Sequence, residues 1–500
     1  MNIEEPDFKL FERNFLSGKT QILFHSFSAD IHTPVSILIQ LQKEKYVFLF
    51  ESVEKGSQKG RYSVIGIRPD LIWECKNNKC LITDIEVSTK KKIDKKKPLQ
   101  SLSSFIKNNK IKLPEQLPSI SSGIFGYMGY EMIKFFENVK LNKKNLLNLS
   151  DSIFLRPSTT VVFDNVNDKI IISQLVKNDK KKNASQVFKK AKKTIYDIKK
   201  TICEPIEKKY FIEKKIIKTS DVFKNVKSST TYEEFKVMVN KAKKYIYEGE
   251  IFQVVLSRVF KKKINVSPIS IYRSLRYLNP SPYLFFMDFK NFAIVGSSPE
   301  ILIKLEGKDV TIRPIAGTRK RGKNKIEDEK LKNELINDPK ELSEHLMLLD
   351  LGRNDISRVS QPGTVEVTDK MYVEFFSHVM HIVSNIVGKL IKNKNSTDVL
   401  FSGFPAGTVT GAPKIRAIEI IEELEKTRRN VYAGSVGYIS ANGNIDTCIT
   451  LRTALIKENT IYVQAGAGIV ADSNVKNEYK ETENKALALL AATQYAKKFE

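Results

Sequence analysis

Long apolar runs are missing from this sequence. No stretch approaches the roughly 20 residues that a membrane helix needs. The opening segment MNIEEPDFKLFERNF carries acids where a secretory signal carries bases, and no apolar block follows it. The expectation is a cytoplasmic chain with no membrane association. Cysteine is scarce: Cys75, Cys80, Cys203 and Cys448 are scattered and none forms a C-x-x-C pair, which argues against a zinc site or a disulfide framework. Histidine is rare as well, with five in 500 residues, so a histidine-based metal centre is not expected. No internal repeat is visible.

Lysine, by contrast, is abundant, and the formal net charge is +26. Such an excess can signal nucleic-acid binding. Here most of it is lysine spread through KKKIDKKKP, KNDKKKN and FKKAKKTIYDIKK, without the arginines and aromatics that base readout or stacking needs. A solvated surface explains it, and no nucleic-acid partner is expected. Length implies more than one structural unit.

From about residue 20 to 175 short β-like runs recur, among them YVFLFES, RYSVIGIRP, SGIFGYMGYE and TTVVFDN. A lysine-rich helical stretch follows from about Ala184 to Lys208. Residues 209–230 are polar and weakly periodic, which places a boundary near 225. An N-terminal region, 1–225, and a C-terminal domain, 226–500, are expected. Helices and strands intermix in the second part without a βαβ rhythm, so the class is α+β.

Several short motifs could carry chemistry. GAGIVA, Gly466 to Ala471, fits G-x-G-x-x-A, but DSNVKNE intervenes where a dinucleotide fold would start its helix. RPIAGTRKRG, Arg313 to Gly322, reads as a strand end entering a basic, glycine-containing turn of anion-binding appearance. In GTVTGAPKIRAIEIIEELEK, Pro413 suits a helix start, and free amides there with Lys414 would hold an anion. ELSEHLMLL places Glu341 and Glu344 on one helix face, and NEYKETENKALALL does the same for Glu478 and Glu481. Alone, each pair reads as solvated surface. Together, four carboxylates converging from two helices would need a cation, and hard oxygen donors suit Mg²⁺. His381, on an apolar segment, is either a core residue or a catalyst.

In their order, NPSPYLFF, SSPE, RPIAGTRKRG, DPKELSEHLMLLDLGRND, SHVMHIVS, FPAGTVTGAPKIRA, QAGAGIVADS and EYKETENKA resemble the chorismate-utilising enzymes, and within them the anthranilate synthase component I group. The likeness is dense from about 230 to 495 and thinner in FLFES and GRYSVIG. It implies two large antiparallel sheets packed together with helices outside. It also implies chorismate as substrate and Mg²⁺ as cofactor, with Glu344 and Glu481 as the nearest ligands and Glu341 and Glu478 beside them. Gly466, Ala467 and Gly468 would offer backbone amides to a carboxylate, Arg452 and Tyr432 would contact substrate, Gly317 and Thr318 would lie at the ring carboxylate, and Thr408 nearby. Glu300 would be the acid that protonates the departing C4 hydroxyl, and so should be partly buried with a raised pKa. His381 would assist loss of pyruvate.

Within that family, members that add water resemble one another in a lysine where this chain has Gln253, and aminodeoxychorismate synthases in a lysine where it has Ala316. Neither lysine is present, which points to ammonia as nucleophile and anthranilate as product. An aminodeoxychorismate synthase component is the runner-up; a non-catalytic regulatory or nucleic-acid-binding protein on the same scaffold is the alternative from another class. No G-x-C-x-G elbow surrounds any cysteine, so ammonia would come from a separate glutamine amidotransferase subunit. FLFES and NPSPY further imply feedback inhibition by L-tryptophan in a pocket lined by Ser52, Pro282, Tyr283 and Leu284.

Overall fold

Alternation along the strands builds the core. In the computed structural model, which describes residues 6–54, 58–85, 90–178, 182–210, 222–376 and 379–500, the β-like runs are strands: Phe48–Glu54, Gln58–Lys76, Gly123–Met128 and Ser152–Asp164. Successive side chains leave on opposite faces. Leu23, Leu49, Ile65 and Val161 pack under the helices Phe8–Leu16, Pro34–Leu41, Ala184–Ile202, Pro268–Leu278 and Val475–Tyr495. Their neighbours Phe24, Phe48, Val64 and Val162 join Phe125, Phe285, Ile294 and Val436 in a second core that no α-helical residue enters. Strands therefore pack on strands there, and helices cover the outer face. A buried side chain of this size contributes roughly 1.5–3 kcal/mol.

Every pairing between the described strands is antiparallel. The class is α+β, as expected, with one refinement: hydrogen bonds link the 22 described strands into one continuous network. Two pairings tie the N-terminal part to the rest. Phe48–Glu54 pairs with Tyr283–Asp288, setting Ser52 opposite Tyr283, and Gly123–Met128 pairs with Ser435–Ser440. Within the boundary stretch 209–230, residues 211–221 lie outside the described residues, as do Ser377 and His378 of the SHVMHIVS motif. No described helix is long and apolar enough to cross a membrane.

Two local readings change. RPIAGTRKRG runs as strand through its first glycine and leaves the strand only at Arg321 and Gly322: Ile315–Lys320 pairs with Val379–Lys389, broken by a bulge at Gly317, whose φ of 75° favours a residue without Cβ. The helix Lys414–Leu424 does begin after Pro413, but Lys414 Nζ is committed to both Asp355 oxygens at 2.7 Å, so it is not free to hold an anion.

Candidate active site

Two helices and four strands gather the chemistry. Helix Pro339–Ser357 is N-capped by Asp338, whose side chain accepts from the amides of Lys340 and Glu341, and has proline in its first turn. Helix Val475–Tyr495 is capped the same way by Asn474. Their first two turns present Glu341 and Glu344, and Glu478 and Glu481, at the i, i+3 spacing read from the sequence.

These carboxylates lie near enough to act on one another. Glu344 is held above its ordinary value by burial and by Glu341 and Glu481, against a hydrogen bond from Gln253 Nε2 to its Oε1 at 3.1 Å. Glu478 is pushed up to about 7 by burial, eased by the Ser473 hydroxyl and reinforced by Glu481. The chain's own cations balance part of the charge: Arg319 meets Glu341 at 2.8 Å and Lys485 meets Glu481 at 2.5 Å. One carboxylate on each helix is thus met by a cation of the chain, and no three acidic, histidine or cysteine side chains among the described residues close around one point. The donor chemistry still fits a hard divalent cation, because two carboxylates remain destabilised as anions by burial and mutual repulsion.

Strand Thr460–Ile469 supplies the glycines. It pairs with Gln253–Lys263 throughout Thr460–Ile469, but with Thr453–Lys457 only as far as Val463, so its last residues have one free edge. At Gly466 that edge is in use: the carbonyl accepts from Lys485 Nζ at 3.0 Å, and the amide meets the Tyr432 hydroxyl. A Cβ here would stand 2.8 Å from that hydroxyl. Peptide groups alternate along an antiparallel strand, so Gly468 shares the free edge while Ala467 faces Leu256 in the ladder. The expectation of three available amides is corrected: Gly466 and Gly468 keep the open edge, the first already meeting Tyr432, and Ala467 does not.

Glu300 sits between strands Ala293–Ser298 and Ile301–Glu306 and is 6% exposed. Burial pushes its carboxyl up to about 8, and the Thr408 hydroxyl with the Arg452 and Lys485 charges pulls it back only in part. Thr408 Oγ1 is itself buried and makes no full hydrogen bond. Arg452, at a turn with φ 45°, is held below its ordinary value by burial, with Glu300 opposing. Glu300 acts on it only as a nearby charge and no described side chain forms an ion pair with its guanidinium, which leaves that fork free for a carboxylate.

His381 is lowered to about 4 by burial, then by Arg452 and Lys485. Its Nδ1 stands 2.9 Å from Thr318 Oγ1 and 3.2 Å from the Gly317 carbonyl. A carbonyl only accepts, so Nδ1 carries the proton and Nε2 is left as a neutral base. Ala316 is buried one step from Gly317, opposite Ile382.

The family model for chorismate binding enzymes matches residues 47–491. The chain belongs to that family. It is 43% identical over 498 residues to anthranilate synthase component 1 of Cereibacter sphaeroides, covering 98% of this chain and 97% of the relative. It is 42% identical to the protein of the same name from Aquifex aeolicus, over 95% of this chain and 94% of that one. The crystal structure of anthranilate synthase component I from Streptococcus pneumoniae superposes with a TM-score of 0.73 at 34% identity, covering 86% of this chain and 92% of that one. MenF, the menaquinone-specific isochorismate synthase of Escherichia coli, shares the fold with a TM-score of 0.71 at 20% identity.

In this chorismate-binding enzyme the cation that sequence reasoning missed is Lys485. It contacts Glu481 and Gly466 and acts on Glu300, Glu344, Glu478 and His381. Its signal was available: it lies one helical turn after Glu481, on the same face.

The second expected site is only partly assembled. Ser52 and Tyr283 are directly cross-strand and share a face, with the Tyr283 hydroxyl donating to Asp446 at 2.9 Å. Pro282 adjoins them and is half-buried. Leu284 does not line that face. Strand alternation turns it into the helix-covered core, with Glu51 opposite, where Arg276 and Tyr272 hold the Glu51 carboxylate.

Proposed function

We propose that this chain converts chorismate and ammonia to anthranilate and pyruvate, the first committed step of tryptophan biosynthesis, in the cytoplasm. The observation that carries the reading is the pair Gln253 and Ala316 in a chain of this family. Gln253, hydrogen-bonded to Glu344, cannot serve as a general base for water, and Ala316 offers no amine to attack the ring.

Arg452 and the Gly466 and Gly468 edge bind the substrate carboxylates, with Tyr432 closing one side. Gly317 and Thr318 lie at the ring carboxylate. Glu344 and Glu481 would hold Mg²⁺, with Glu341 and Glu478 beside them, and when bound the ion supplies Lewis-acid polarisation of the ring carboxylate. Ammonia bonds to C2 as the C4 hydroxyl departs, and Glu300, protonated at neutral pH, gives that oxygen its proton, releasing water; the new C2 ammonium group loses its extra proton to solvent, from which Glu300 is reprotonated. His381 Nε2 then takes the C2 proton as the bond between the ring and the enolpyruvyl oxygen breaks, and returns it to the enolpyruvyl methylene carbon, so that pyruvate leaves and the ring becomes aromatic. Thr408 orients the Glu300 carboxyl.

Ammonium has no lone pair, so the nucleophile must arrive as ammonia. Glutaminase chemistry belongs to a separate amidotransferase subunit. Residues 226–500 form the catalytic domain, and 1–225 contribute the regulatory elements that bind L-tryptophan. The test is to give the purified chain chorismate and Mg²⁺ with either ammonium or glutamine. Anthranilate should form from ammonium alone. Efficient use of glutamine would refute the separate subunit, and 4-amino-4-deoxychorismate as product would favour the runner-up.

A further inference from the structure

Beneath the substrate-facing residues lies a buried ion pair that the reaction leaves unused. The side chains of Arg429 and Glu425 are 1% and 2% exposed. The pair is two-pronged, with Nε donating to Oε2 at 3.0 Å and Nη2 to Oε1 at 2.6 Å. Each partner then reaches a different part of the site. Arg429 Nη1 donates to the carbonyl of Val409, next to Thr408, at 2.7 Å. Its Nη2 donates to the carbonyl of Val255, in the strand that begins at Gln253, also at 2.7 Å. The guanidinium lies 5.4 Å from the centre of the Tyr432 ring. Glu425 Oε1 accepts from both the amide and the hydroxyl of Ser257 at 2.7 Å. Ser257 is the cross-strand partner of Gly466, and its hydroxyl accepts from Gln464 Nε2 at 2.9 Å.

We propose that Arg429 and Glu425 are positioning residues that hold the Thr408 turn, Tyr432 and the Gly466–Gly468 edge in one fixed relation. The proposal rests on the chorismate reading, because it says which groups must be in register: the proton on Glu300 and the edge that binds carboxylate. A buried ion pair is a poor source of stability compared with apolar side chains of like volume, since both charges lose their hydration. This pair instead gains by specifying geometry. Every hydrogen bond that the two side chains make outside the pair ends on a strand or turn of the site, and those elements lie far apart in sequence. Misplacing a reacting group by about 1 Å can cost on the order of a hundredfold in rate.

Removing one partner strands a buried charge, so the informative variant removes both: Glu425→Met with Arg429→Met. With ammonium as donor, its kcat should fall at least about tenfold while KM for chorismate moves less. Amides in 408–410 and 464–468 should exchange hydrogen faster than in the wild type. Arg429→Lys, which keeps the charge but not the fork, should recover part of the lost rate. A folded double variant with wild-type kcat and wild-type exchange at those amides overturns the proposal. If the double variant does not fold, a folded Arg429→Lys with unchanged kcat overturns it. A wild-type chain inert towards chorismate would instead sink the functional reading, and the exchange comparison alone would then decide the positioning role.

Discussion

Glu300 and His381 show how burial, the largest influence on each, sets opposite roles. Near pH 7 both are neutral, the first because its carboxyl is pushed up to about 8, the second because its imidazole is lowered to about 4. One is thereby an acid and the other a base at the same pH. Their effects on stability run in opposite directions. The folded chain keeps the Glu300 proton between the ordinary value of 4.5 and about 8, so this contribution is complete below 4.5 and is lost as pH rises to about 8. His381 resists protonation between 6.5 and about 4, so its contribution is complete above 6.5 and is lost as pH falls through about 4. With the free ammonia concentration held constant, kcat/KM for chorismate should fall above about pH 8, and Glu300→Gln should remove on the order of a hundred- to ten-thousand-fold of the rate. A flat alkaline limb in the wild type would take the acid role from Glu300. His381→Ala should slow pyruvate release more than amination, so that an aminated product still bearing the enolpyruvyl group accumulates. Wild-type pyruvate release from a folded variant would return His381 to a core residue.

At the scale of elements, the strand Thr460–Ile469 carries the clearest constraint. Gly466→Ala would drive its Cβ to 2.8 Å from the Tyr432 hydroxyl and 3.0 Å from the Leu256 carbonyl. The backbone there is paired on one side and cannot retreat, so Tyr432 must move. KM for chorismate should rise about tenfold or more with the fold intact; an unchanged KM would show that this edge does not meet substrate. Periodicity made such strands and the two acidic helices legible in the sequence, because it depends on near neighbours. The Gly317 bulge was not legible, since it exists only against the partner strand Val379–Lys389. Nor was the commitment of Lys414 to Asp355, a partner 59 positions away, or the aim of Leu284, which the register with Glu51 decides. The carboxylate pairs were placed correctly by helical spacing, while their compensation by Arg319 and Lys485 depended on contacts that spacing does not encode.

Across the whole molecule, the two parts of the chain share their ladders, and Ser52 meets Tyr283 where they join. A ligand seated at that seam touches both parts and can favour one arrangement by the roughly 1–3 kcal/mol typical of coupling between sites. Ser52→Phe removes a hydroxyl and adds bulk beside Tyr283, so it should abolish most inhibition by tryptophan while leaving uninhibited turnover near wild type. Equal inhibition of both proteins would place the effector elsewhere, and a wild type indifferent to millimolar tryptophan would remove the regulatory reading altogether.

The most direct test of the account is the product. Chorismate, Mg²⁺ and isotopically labelled ammonium should be given to the purified chain and the products identified by mass. The account predicts anthranilate carrying the label, with one pyruvate released for each anthranilate formed. Isochorismate or salicylate without label, or a labelled product that keeps its enolpyruvyl group as 4-amino-4-deoxychorismate, would contradict it.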